Sequence, residues 1–117
     1  MKNQYKTGVT GEVQAEQYLC AQDMTVIARR YRGGDGEIDL IMQSGDTIVF
    51  VEVKSRPDSP AGSGLMAVTS AKQRRITHAA MTFLLEREWM ERPVRFDVVE
   101  ISRSGILHIP NAFMAAE

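Results

Sequence analysis

One cysteine, Cys20, stands in a chain of 117 residues. That scarcity excludes an intrachain disulfide and, with only His78 and His108 to join it, a zinc cluster built around the thiol. Nothing in the cysteine usage points to an oxidising compartment. Long apolar runs are missing too. The longest uncharged apolar-rich stretch, His78 to Leu85, is far too short to cross a bilayer. The opening residues Met1-Lys2-Asn3-Gln4-Tyr5-Lys6 lack the apolar segment of a secretory signal. The expectation is a cytoplasmic protein with no membrane partner. An excess of either charge is also missing: 14 Lys and Arg face 15 Asp and Glu, for a net charge of −1. A non-specific nucleic-acid coat protein needs a broad cationic surface, so that class is disfavoured. An enzyme with a local basic rim is not.

The balance of 44% apolar and 25% charged residues is that of an ordinary globular protein, and the length fits one domain with its own core over residues 1–117. Arg29, Arg30 and Arg32 form one basic cluster. Lys54, Arg56, Lys72, Arg74 and Arg75 form another, opposed locally only by Asp58. Acids gather elsewhere, at Glu86, Glu88 and Glu91.

There is no internal repeat and no low-complexity tract. Thr10 to about Asp23 predicts a helix with Thr10 as N-cap and an inward stripe of Glu12, Ala15, Leu19 and Cys20. Thr25 to Tyr31, Ile38 to Met42 and Thr47 to Lys54 predict strands. They are separated by the turn signals Arg32-Gly33-Gly34-Asp35-Gly36 and Ser44-Gly45-Asp46, an antiparallel meander. Pro57 to Gly64 predicts an exposed, mobile loop. Ser70 to about Glu91 is the clearest helix. Its buried face is Ile76, Ala79, Ala80, Phe83 and Leu84, and Ser70 with Gln73 matches a capping box. Beyond Pro93, Val94 to Ile101 is a fourth strand, and Ile106 to Ile109 a short final one. The order αβββαβ implies an α/β fold, a mixed central sheet flanked by helices.

The third strand carries the chemistry. Val49-Phe50-Val51-Glu52-Val53-Lys54 is apolar on both faces until Glu52, the pattern of a central strand. Glu52 and Lys54, two apart, project from one face. Burying either charge costs several kcal/mol, roughly, unless it is paired or metal-bound. In the second strand Asp39 is flanked by Ile38 and Leu40, and if strands two and three pair as a hairpin it can sit beside Glu52, in a register that the sequence does not fix. Two carboxylates with a lysine suit phosphodiester hydrolysis. Mg²⁺ takes oxygen ligands and keeps several waters, so Asp39, Glu52 and the Val53 carbonyl suffice to hold it. Such a metal acidifies water and neutralises phosphate charge, while Lys54 orients the water and offsets charge in the transition state. Arg56, Lys72, Arg74 and Arg75 are candidates for phosphate contacts without sequence readout. Lys72, Arg74 and Arg75 equally fit a solvated helix face.

Asp39 followed by Glu52-Val53-Lys54 resembles the D…(D/E)xK signature of the restriction-endonuclease-like, PD-(D/E)xK superfamily. Gly36-Glu37-Ile38-Asp39-Leu40-Ile41, followed by Phe50-Val51-Glu52-Val53-Lys54-Ser55-Arg56, is similar to the YraN family of uncharacterised bacterial proteins. Gly11-Glu12, Lys72-Gln73-Arg74-Arg75-Ile76 and Arg95-Phe96-Asp97-Val98-Val99 match the same pattern, so the resemblance covers about residues 8–110. It implies a single nuclease-like domain with that superfamily's core, close to archaeal Holliday-junction resolvases. By position, Glu12 corresponds to the first-helix acid and Gln73 to the second-helix polar residue that support such sites. Ile38 stands where the nominal motif has proline. The macrodipole also explains an acid in the first turn of a helix, and a capping box also explains Gln73.

The expected function is a Mg²⁺- or Mn²⁺-dependent endonuclease hydrolysing DNA, with branched or damaged forms as candidate substrates. A homodimer is required only if junctions are resolved. The alternatives are a non-catalytic nucleic-acid-binding module on the same fold and a protein-docking protein.

Overall fold

The computed structural model describes residues 4–58 and 62–116, with side chains from residue 11 onward. Residues 59–61 of the expected Pro57 to Gly64 loop lie outside the described residues. The elements are α1 (Gln4–Ala21), β1 (Thr25–Gly33), β2 (Gly36–Ser44), β3 (Thr47–Ser55), the single turn α2 (Ser63–Met66), α3 (Ser70–Arg87), β4 (Val94–Ser102) and β5 (Gly105–Phe113).

The sheet runs in the order β1-β2-β3-β4-β5. β1, β2 and β3 form the expected meander. α3 then carries the chain across so that β4 lies parallel to β3, and β5 returns antiparallel. α1 covers one face: Ala15 and Leu19 pack on Leu40, Met42, Val49, Val51 and Val99. α3 covers the other, with Ile76, Ala79, Ala80, Phe83 and Leu84 on Ile41, Ile48, Phe50, Phe96 and Val98. Cover on both faces is why β3 reads as a continuous apolar run: Ile48 to Glu52 are all buried. Each large apolar side chain so buried contributes on the order of 2 kcal/mol.

Several sequence expectations change. α1 begins at Gln4, so Thr10 lies within the helix and is not its N-cap. Cys20 is exposed rather than part of the inward stripe. α3 is capped by Thr69, whose hydroxyl accepts the Lys72 N–H at 3.2 Å; Ser70 is the first helical residue and no capping box forms. The helix ends at Arg87, because Glu88 adopts left-handed φ of 60° and Trp89 donates its N–H to the Leu84 carbonyl. β5 is as long as β4, nine residues each, where the sequence suggested a short last strand. Met24 and Met42 are buried, whereas Met66 and Met114 are exposed.

Candidate active site

β2 and β3 pair from Ser44 opposite Thr47 to Leu40 opposite Val51. One step further in that register Asp39 stands across from Glu52, and there the ladder opens. The Val53 N–H, which a continued ladder would aim at a β2 carbonyl, is donated to Asp39 Oδ2 at 2.7 Å. The N–H and C=O of one strand residue point to the same edge, so the Val53 carbonyl also faces the opening.

Glu52, 6% exposed, accepts two ammonium groups on one oxygen. Lys54 Nζ lies 3.3 Å from Glu52 Oε2, and Lys72 Nζ lies 2.6 Å from the same atom. Lys54 arrives from the same face of β3. Lys72 arrives from the first turn of α3, in the segment fixed by the Thr69 cap.

The electrostatics follow from this crowding. Burial pushes Asp39 up to about 7. The Glu52 charge adds to the rise and Glu12 contributes a smaller share, while the Val53 N–H works against them. Lys54 is shifted down, chiefly by burial and then by its hydrogen bond with Lys72, with Glu52 opposing. For Lys72 burial is the largest single influence and acts downward. Hydrogen bonds to Glu52 and Lys54, with the charges of Glu52 and Asp39, outweigh it, and the net shift is upward.

The group opens into a cleft of about 420 Å³ whose walls include Arg32, Glu37, Asp39, Glu52, Lys72 and Arg75. One wall is the β1–β2 hairpin tip, which lies directly on α3. A Cβ on Gly36 would sit 2.0 Å from the Arg75 carbonyl oxygen. Asp35 bonds His78 Nδ1 at 2.9 Å, which pins the tip to the helix. This glycine-rich turn is thus required by close approach as well as by turn geometry.

Of the residues expected at the site, Asp39, Glu52, Lys54 and Lys72 come together around the opening, and Arg75 lines the cleft. Glu12 lies within electrostatic reach of Asp39, but its carboxylate accepts from Arg30 Nε at 2.9 Å. Gln73 Nε2 donates to the Val68 carbonyl at 3.0 Å, supporting the entry to α3. Arg74 is exposed. Arg56 follows β3, its backbone N–H bonded to the Ile101 carbonyl at 2.7 Å.

Among the described residues, no three His, Cys, Asp or Glu side chains cluster tightly enough to hold a metal ion by themselves. Two carboxylates and one carbonyl are nevertheless enough for a hard cation that retains water. The donor chemistry fits such a cation: two acids face each other, one is pushed toward its neutral form, and the other draws two ammonium groups.

Two buried acids escaped the sequence reading. Glu100, fully buried beside Lys54 in the β3–β4 register, accepts the Gly62 N–H at 2.8 Å and the Gly64 N–H at 2.6 Å. It ties the end of the loop before α2 to the sheet, so Gly64 is buried rather than exposed. Asp97, also fully buried, accepts from Arg95 Nε and Nη2, the Asn111 N–H and His108 Nε2, pinning β5 to β4. An acid inside an apolar strand was the available signal in both cases, the same signal that singled out Glu52. Gly64→Ala would bring a Cβ within 2.8 Å of Glu100 Oε1 and 3.2 Å of Lys54 Cβ. We expect it to cost about 1–2 kcal/mol in urea unfolding.

A model of the family described as uncharacterised protein family UPF0102 matches residues 11–101. The chain is similar to a UPF0102 protein of Saccharophagus degradans, 43% identical and covering all of both chains. It is similar to one of Geobacter metallireducens, 44% identical over 93% of each. A third, HEAR0176 of Herminiimonas arsenicoxydans, is 44% identical over 90% of this chain and 84% of its own. Among solved structures, that of Pyrococcus furiosus SfsA in complex with Ca²⁺ is similar at a TM-score of 0.38 and 17% identity. It covers 98% of this chain, which spans 65% of the length of that one.

Proposed function

The chain belongs to the uncharacterised protein family UPF0102, and we propose that it is a divalent-cation-dependent phosphodiesterase that cuts nucleic acid at the opening between β2 and β3. The observation that carries this reading is the facing of two recessed carboxylates, Asp39 and Glu52, beside Lys54 in a cleft rimmed by Arg32, Lys72 and Arg75. The element order is in keeping with the restriction-endonuclease-like core, to which we assign the domain.

Asp39, Glu52 and the Val53 carbonyl would hold Mg²⁺ or Mn²⁺. The cation would acidify a water and neutralise charge on the scissile phosphate. Lys54 Nζ stands at the edge of the acid pair. From there its charge would orient the attacking water and offset the charge that develops at phosphorus. Lys72 and Arg75 would neutralise the flanking phosphates, contacts that position any sequence alike. DNA is the preferred substrate in this reading and the cytoplasm the expected setting. A homodimer is required only if four-way junctions are resolved. Among the described residues, no helix is long and apolar enough to cross a membrane.

The test is a cleavage panel. Labelled duplex, single strand, flap, four-way junction and RNA are incubated with wild type and Asp39→Ala in Mg²⁺, Mn²⁺ or EDTA. We expect cutting by wild type alone, abolished in EDTA. No cutting of any form, with intact salt-dependent binding, would replace the enzyme by a nucleic-acid-binding module.

A further inference from the structure

The acid pair already has cations. Glu52 Oε2 is shared by the ammonium groups of Lys54 and Lys72, so the group of Asp39, Glu52, Lys54 and Lys72 is close to neutral as it stands. A divalent ion entering beside both ammonium groups would meet like-charge repulsion in a recessed, poorly screened place. One ammonium must leave, or an anion must arrive.

The two lysines differ in their freedom to leave. Lys54 projects from the body of β3 and its side chain is 18% exposed. Lys72 sits on the first turn of α3, its side chain is 33% exposed, and it lines the cleft. Arg75, three residues on and hence on the same helix face, lines the cleft as well. An ammonium swung off Glu52 on its flexible four-carbon stem remains beside that guanidinium, and together they form a place for a phosphate.

We propose that Lys72 is a resident counter-ion that leaves Glu52 for a nucleic-acid phosphate, so that cation loading at Asp39 and Glu52 is coupled to substrate binding. The proposal rests on the divalent-cation reading above. Without nucleic acid, Lys72 competes for Glu52 and the cation binds weakly. With nucleic acid, the ammonium moves to the phosphate and Glu52 is released. Coupling of this kind is reciprocal, so the cation tightens nucleic-acid binding by the same factor.

The experiment is calorimetric titration of Mn²⁺ into the full chain, with and without a phosphorothioate DNA oligonucleotide. For wild type we expect the oligonucleotide to tighten Mn²⁺ binding about tenfold or more. Lys72→Met is expected to bind Mn²⁺ about tenfold tighter than wild type without oligonucleotide, and to gain little when it is added. Lys72→Arg keeps the charge and keeps the coupling. Equal Mn²⁺ affinity in wild type and Lys72→Met, or no tightening of wild type by the oligonucleotide, overturns the proposal while leaving the cation site standing. No Mn²⁺ binding by any form, with or without oligonucleotide, overturns the cation reading and the proposal with it. Thermal unfolding checks that Lys72→Met is folded. If it is not, Lys72→Gln, whose amide still reaches toward Glu52, takes its place, and the wild-type comparison decides independently.

Discussion

Asp39→Asn is expected to make the metal-free protein more stable, by about 2 kcal/mol at pH 8, a rise in Tm of about 5–10 °C. Asparagine keeps an oxygen for the Val53 N–H and removes a carboxylate whose ionisation is opposed by burial and by Glu52. The folded protein holds the Asp39 proton up to about pH 7, whereas the unfolded chain releases it near pH 4. The unfolded state therefore binds fewer protons across that interval, and the Asp39 contribution to stability falls as pH rises from about 4 to about 7. It is constant above that. A displacement of that size sets a ceiling of about 4 kcal/mol, and solvent access at the cleft mouth lowers the expected gain. Thermal unfolding of both proteins from pH 4 to 8 in EDTA checks it. The two curves should start together and diverge toward neutral pH. A substitution that stabilises while damaging a site is the expected signature of residues held for function.

Gly36→Ala is expected to act in the opposite direction and more strongly. The added Cβ would lie 2.0 Å from the Arg75 carbonyl oxygen and 2.6 Å from its carbon. These are backbone atoms of α3, and no side-chain rotation relieves the overlap. The hairpin tip must lift away from the helix, breaking the Asp35–His78 contact and moving the start of β2, three residues before Asp39. We expect a loss of about 3 kcal/mol or more, read as a lower urea midpoint with little change in m. Activity per folded molecule should fall too, because the tip is a wall of the cleft. Gly45→Ala is a useful contrast: its Cβ would meet nothing within 4 Å, so its cost is confined to its left-handed φ of 60°.

The meander, the crossover helix and the nearness of the strands that carry Asp39 and Glu52 were legible because each follows from short-range pattern, while the register that sets the two acids across from each other comes from the structure. Two tight turns separate three strands, an apolar run ends in charge, and a hairpin brings neighbours together. The opening of the ladder at Asp39 was not legible, because it depends on a side chain replacing a backbone acceptor for Val53. Lys72 is similar. On its own helix it is one of several cations on a half-exposed turn, and only the packing of α3 on β3 brings it to Glu52. The cap of α3 slipped by one residue because Thr69 and Ser70 are equally good hydroxyl caps, and the backbone conformation chooses between them. Glu100 lies on a strand placed by the crossover, so its partners Gly62 and Gly64 are long-range facts, whereas the Asp97 partners His108 and Asn111 lie across the β4–β5 hairpin, in a register that no sequence pattern marks. The length of β5 has the same cause: His108 and Asn111 are held by Asp97, and no apolar alternation announces it.

The most direct measurement is the initial rate of cleavage at pH 8 in Mg²⁺, on whichever substrate the panel identifies, for wild type and Asp39→Asn purified in parallel. The acid pair as a cation site predicts a loss of about a thousandfold or more in the variant, although that variant is the more stable protein. Equal rates in the two proteins would contradict it, because a carboxylate that can be neutralised without cost to the reaction is not holding the cation that drives it.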